Sequence, residues 1–224
     1  MIEKSTLTFL RDLSKNNNKE WFDGNRKRYE GERKRFIDFV QEVIDTIGRF
    51  DPSVADNQAA KSVFRINRDI RFSKDKTPYK TNFAASIKKG GKHTPYVGYY
   101  LHLQPGEIFA GGGLYAPDPA ILKAVRDEIY FCLPEFEKIL GNKALVKEFG
   151  GLEEIEKLKS APKGYEKDHP SIPYLQHKHF IISRSFTDAE ATAPDFLKKL
   201  ESLFKAQQPF TDFINRAIDN QSNS

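Results

Sequence analysis

Residues 96–113, YVGYYLHLQPGEIFAGGG, decide the fold class. Tyr96, Gly98, Tyr100 and His102 share one parity along the first half, and a period of two marks a strand whose side chains alternate between faces. Pro105-Gly106 joins Tyr96–Gln104 to Glu107–Gly113 through a tight connection, which predicts a hairpin and antiparallel pairing. Upstream, Phe83, Ala85 and Ile87 alternate before the turn Lys89-Gly90-Gly91-Lys92. Further upstream, Phe64, Ile66, Ile70 and Phe72 take one parity and Arg65, Asn67, Asp69 and Arg71 the other. That alternation predicts a half-buried strand, or two short strands joined at Asn67-Arg68-Asp69. A last strand is expected near Lys178–Ser185, around Phe180-Ile181-Ile182.

Helical patterns bracket these strands. Leu7, Leu10 and Leu13 precede the polar break Asn16-Asn17-Asn18. Asn18 is then the N-cap of a longer helix whose apolar stripe runs through Phe22, Tyr29, Phe36, Val40, Val43 and Ile47, with Gly24 and Gly31 as points of bending. Asp118-Pro119 opens the next helix, and shorter pieces are expected at Glu135–Leu140, Lys143–Phe149 and Leu152–Leu158. Two helices close the chain near Ala193–Lys205 and Pro209–Ala217. Grouped strands between helical blocks give an α+β class: a mainly antiparallel sheet flanked by N-terminal and C-terminal helices. One domain is expected over residues 1–219, followed by a polar C-terminal tail at 220–224.

Several classes are set aside by composition. The longest apolar run, about Ile129–Leu133, is far short of the ~20 residues of a spanning helix, so no membrane span is expected. Glu3, Lys4, Arg11 and Asp12 interrupt the apolar residues of the N-terminus, unlike a secretory signal, and a cytoplasmic location follows as the expectation. Cys132 is the only cysteine and sits in an apolar run, which reads as an inert thiol. No metal site is expected: His177 and His179 share a strand face without an evident third ligand.

Charge is the more informative quantity. The chain carries 36 Lys and Arg against 31 Asp and Glu, a net charge of +5. Lys61–Lys80 alone holds seven cations against Asp69 and Asp75, so one short segment equals the excess of the whole chain. Lys19–Arg35 adds seven cations against four acids, which leaves the remainder mildly acidic.

The core of the basic segment, FRINRDIRFSKDKTPYK (Phe64–Lys80), is the candidate site. Arg65 and Arg71 project from one face of an extended chain, where guanidinium forks suit phosphate or carboxylate. Arg68 has the opposite parity and needs an anionic partner if it turns inward. Asp69 and Asp75 are the acids placed to orient these arginines, or to hold a magnesium ion through water if the protein is an enzyme. Lys74, Lys76 and Lys80 add charge, and Tyr79 adds a ring or hydroxyl for stacking or hydrogen bonding. The ligand class is phosphate-bearing, a nucleotide or nucleic acid. The competing reading is an interaction or structural module whose basic surface meets an acidic protein partner, with the lysines blunting a strand edge. A hydrolase using Asp69, Asp75 and His102 is a third and weaker reading, and neither catalytic residues nor a cofactor can be named. Gly111-Gly112-Gly113 lacks the spacing of a phosphate-binding loop and reads as a bulge or a close-packing site.

NNNKEWFDGNRKRYE, FRINRDIRFSKDKTPYK, YYLHLQPGEIFAGGGLYAPDP and KGYEKDHP together resemble domain-of-unknown-function family 2461, a set of conserved hypothetical proteins. The resemblance covers nearly the whole chain. It implies that the shared polar positions fall on Arg65, Arg68, Asp69, Arg71, Asp75, Lys76, Tyr79 and Lys80. It brings no established activity, cofactor or catalytic residue.

Overall fold

The computed structural model describes residues 1–222. Residues 223–224 of the expected tail lie outside the described residues. In chain order the elements are α1 (Lys4–Lys15), α2 (Lys19–Gly24), α3 (Arg26–Ile47), α4 (Ala59–Ser62), β1 (Phe83–Lys88), β2 (Gly98–Leu103) and β3 (Ile108–Leu114). Then come α5 (Pro119–Phe131), α6 (Leu133–Leu140), α7 (Lys143–Phe149), α8 (Ile172–Leu175), β4 (Phe180–Phe186), α9 (Asp188–Ala191) and α10 (Phe196–Ser222). The strands form one antiparallel sheet in the order β1-β2-β3-β4, so the α+β class read from residues 96–113 holds. Pro105-Gly106 closes the β2–β3 hairpin: the Glu107 N–H donates to the Gln104 carbonyl at 2.9 Å. Gly106 takes φ +83°, the second corner of a type II turn, where a side chain is strained.

The chain divides into two compact units. One holds residues 1–93, 100–110 and 185–202. Its core is aromatic: Phe83 on β1 stacks on Phe9 of α1 and Phe36 of α3, and Phe39 stacks on Phe196 at 5.9 Å. The other holds residues 94–99, 111–184 and 203–224. There Val125, Ile129, Phe136, Phe180, Phe210, Phe213 and Ile214 form a buried cluster. Among the described residues no helix is long and apolar enough to cross a membrane.

Four sequence expectations change. The long helix splits into α2 and α3 at Gly24-Asn25, and Gly31 sits inside α3 without breaking it. Asn18 caps α2 as expected, its side chain accepting from the Trp21 N–H at 2.9 Å. Leu152–Leu158 is not helical, because its backbone pairs elsewhere: Glu153 N–H donates to the Ile181 carbonyl and Leu158 N–H to that of Gln176. The two C-terminal helices are one continuous helix, α10, running to Ser222 with Pro209 inside it. Burial of Phe204, Phe210, Phe213, Ile214 and Ile218 along it outweighs the ~3 kcal/mol an internal proline costs. Finally, Phe64–Phe72 forms no strand; only isolated bridges join Val63 to Ala85 and Asn67 to Tyr79. The alternation fails where side chains compete for the backbone, since the Asp69 carboxylate accepts from the Arg71 N–H and Asp75 from the Thr77 N–H.

Gly111-Gly112-Gly113 is a packing device. A Cβ on Gly112 would lie 2.0 Å from the Gly98 carbonyl and 2.4 Å from Gln207 Nε2, and one on Gly111 would lie 2.1 Å from the Ile182 carbonyl. Gly112→Ala is expected to lower unfolding free energy by about 2–3 kcal/mol in urea titration. Gly31→Ala, at an exposed helical site with nothing within 4 Å, is expected to raise it by about 1 kcal/mol.

Candidate functional site

The basic segment is held as an irregular two-armed loop. Phe64 N–H donates to the Ala84 carbonyl of β1, Arg68 N–H to that of Pro78, and Lys80 N–H to that of Ile66. Its return arm is pinned by Asn17, whose side-chain oxygen accepts from the Tyr79 N–H at 3.0 Å while its amide donates to the Tyr79 carbonyl at 2.8 Å. Tyr79 itself is buried at 6% exposure, with its ring stacked on Phe22 at 3.9 Å. Buried to that degree, Tyr79 anchors the loop and offers no surface to a ligand.

The cations of the segment fall into two groups. Arg71 closes on Asp69 as a fork, Nε to Oδ1 at 2.9 Å and a terminal nitrogen to Oδ2 at 2.7 Å, both outside in solvent. Arg68 turns partly inward and ties the loop tip together, donating to Asp75, to the Thr77 hydroxyl and, at 3.2 Å, to the Thr77 carbonyl. The aspartates thus orient the arginines as their sequence spacing suggests. The Thr77 N–H and the Arg68 guanidinium hold the Asp75 carboxyl down at about 2 against its ordinary 3.8. Lys74 is exposed, and exposed Lys76 donates to the Ile70 carbonyl at 3.0 Å. Phe72, beside them, is 95% exposed, with the Arg71 guanidinium 5.8 Å from its ring centre.

The second group is different. Lys80 and Lys92 both place their ammonium groups on the ring of Phe64, at 5.3 and 5.4 Å from its centroid. Arg65 is exposed beside them. Partial burial, then Arg65 and Lys92, push the Lys80 ammonium below its ordinary value. Burial and Arg33 do the same to Lys92, whose ammonium donates to the Val63 carbonyl at 2.8 Å. Among the described residues none of Arg65, Lys80 and Lys92 has an ion pair.

These cations border an aromatic face of the sheet. Tyr99, Leu101 and Leu103 point into the core, so Tyr100 and His102 project from the opposite side and remain half-buried. His102 stacks on Phe109 of β3 at 4.6 Å and 11°, Tyr100 lies 5.7 Å from Phe109, and Phe64 meets Tyr100 edge-on. Asn82 Nδ2 can only donate, and it approaches His102 Nδ1 at 3.5 Å, with the Tyr100 hydroxyl at 3.2 Å from the same nitrogen. These contacts suit the tautomer with the ring proton on Nε2. Burial pushes the His102 pKa down, against Glu107, which keeps the ring neutral at pH 7. Asp69 and Asp75 are committed to Arg71 and Arg68, and neither hydrogen-bonds His102.

Elsewhere, two further histidines are committed to protein partners, while the Nδ1 of buried His177 has no hydrogen-bond partner among the described residues. His179 Nδ1 accepts from the Ala116 N–H at 2.9 Å, and His169 Nδ1 lies 2.7 Å from the Ser171 hydroxyl. Cys132 is half-buried between α5 and α6, its thiol pushed up by burial. Among the described residues no group of three or more His, Cys, Asp or Glu is placed to hold a metal ion.

Of the nine sequence candidates, the fold gathers only Arg65 and Lys80 with the aromatic face; Lys92, Phe64, Tyr100, His102 and Phe109 complete it. Lys92 gave no signal beyond its place in a glycine turn, because only the Val63 contact brings it to the segment. The fold and this face define an antiparallel-sheet α+β protein with a cationic, aromatic sheet surface. The chain belongs to the conserved hypothetical protein family DUF2461, whose model matches residues 5–213. No curated protein and no solved structure matches it.

Two outcomes are expected. Asn17→Ala removes both bonds to Tyr79 and should lower stability by about 1–3 kcal/mol in chemical denaturation. The Asp75 carboxyl should titrate at about 2 by NMR, and Arg68→Gln should move that midpoint up toward 3.8. Because the folded value is depressed, the Asp75 contribution is complete above the ordinary value and fades as pH falls toward 2.

Proposed function

We propose that this protein binds a phosphate-bearing ligand, a nucleotide or nucleic acid, in the cytoplasm. Arg65, Lys80 and Lys92 are its anion contacts. The observation that carries the reading is the crowding of Lys80 and Lys92 on one ring beside Arg65, with no ion pair to any of the three among the described residues, which raises the free energy of the empty protein and is relieved by an anion. Arg68 and Arg71 serve differently: their charges are already met by Asp75 and Asp69, so they shape the loop. Lys74 and Lys76 add charge at its rim. A cytoplasmic setting accords with a chain whose single cysteine allows no internal disulfide.

Structural and binding roles predict opposite results. The variant Lys80→Met keeps the aliphatic stem on Phe64, removes a charge without an ion pair, and leaves the Lys92 hydrogen bond to the Val63 carbonyl in place. Its melting temperature should equal or exceed that of the wild type, while affinity for inorganic tripolyphosphate and for oligothymidylate should fall at least about tenfold, one charge-assisted contact being worth ~1.5–3 kcal/mol. A lower melting temperature with unchanged affinity would make Lys80 structural and end this reading.

A further inference from the structure

We propose that the ligand is a single-stranded nucleic acid, with bases stacked on the Tyr100–His102–Phe109 face and on Phe72 while Arg65, Lys80 and Lys92 take the phosphates. This rests on the phosphate-binding reading and specifies its ligand. Three features carry it.

The first is the composition of the sheet face. Three aromatic rings in mutual contact on the solvent side of adjacent strands are unusual where a polar face would serve solubility, and each base offers a π-face to such a surface regardless of sequence. A base inside a duplex is stacked on its neighbours and cannot reach a flat sheet, so the platform selects unpaired strands.

The second is the state of His102. Its Nδ1 meets the Tyr100 hydroxyl and the Asn82 amide, and burial favours the neutral ring, whose Nε2 takes no part in those contacts. A neutral ring stacks without bringing a further charge to a face already crowded with cations, and its N–H suits the carbonyl oxygens on base edges.

The third is Phe72. It is a phenyl ring exposed at the tip of a loop that also carries Arg71, Lys74 and Lys76, and no protein contact explains an apolar side chain there beyond the Arg71 guanidinium above it. A mononucleotide fills one aromatic station, whereas a strand can reach two.

Fluorescence anisotropy with the full chain tests this. Oligothymidylate should bind at least about tenfold tighter than an abasic oligomer of the same length, as expected for loss of base stacking. Phe109→Leu and Phe72→Ala should each shrink that preference while leaving affinity for the abasic strand unchanged; Phe72, being exposed, cannot act through misfolding. Phe72→Ala should leave thymidine monophosphate binding unaltered. Equal affinity for abasic and base-bearing strands would overturn the stacking proposal and leave the phosphate reading standing. Failure of every phosphate probe would remove both. A polyglutamate peptide binding as tightly as oligothymidylate would overturn the proposal in favour of an acidic protein partner.

Discussion

One constraint recurs wherever the chain of this protein runs extended without a strand beside it: both backbone groups of a buried residue need partners. A side-chain amide meets it twice. Asn17 accepts from and donates to the backbone of Tyr79, and Asn215 does the same for Val97 at the entry to β2, at 2.9 and 3.1 Å. An amide carries a donor and an acceptor on one planar group, so it imitates one rung of a sheet. With Tyr79 fixed in this way and stacked on Phe22, the following residue, Lys80, has little choice of direction, and its ammonium lies on Phe64. The candidate site thus rests on an asparagine outside it.

The electrostatics of the basic segment follow from where its two aspartates reach. Asp69 and Asp75 lie on the distal loop and neutralise Arg71 and Arg68 there. Nothing comparable reaches the proximal end, where Arg65 and Lys80 meet Lys92 arriving from a glycine turn. A segment that reads as uniformly basic is therefore split into an internally paired tip and a base without ion pairs. Arg65, Lys80 and Lys92 carry the binding proposal because among the described residues they make no ion pair, whereas the two arginines that looked equally suited do.

Close packing shapes the second unit. The triple glycine lets β3 approach the Gly98 carbonyl and β4 without side chains in between, and Gln207 takes part in the same contact by donating to the Gly98 carbonyl at 2.9 Å. Its neighbour in α10, Pro209, breaks a local rule of helix formation. Apolar residues on both sides of that proline are buried, and their transfer out of water holds the helix through it.

Sequence by itself determined the elements with strong periodicity and turn chemistry: the hairpin at Pro105-Gly106, the cap at Asn18, α5 at Asp118-Pro119 and the strand around Phe180. Each depends on neighbours a few residues away, which a linear reading contains. It also located the basic segment, since charge is counted without coordinates. Only the tertiary structure decided that Phe64–Phe72 is not a strand, that Leu152–Leu158 pairs as extended chain, and that Tyr79 faces Phe22. It alone decided which cations stay unpaired. Those outcomes turn on contacts between Asn17 and Tyr79, Lys92 and Val63, and His102 and Phe109. Ion pairs, amide clamps and ring stacks act over a few ångströms in space, and alternation of residue types along a chain carries no record of which distant groups arrive there.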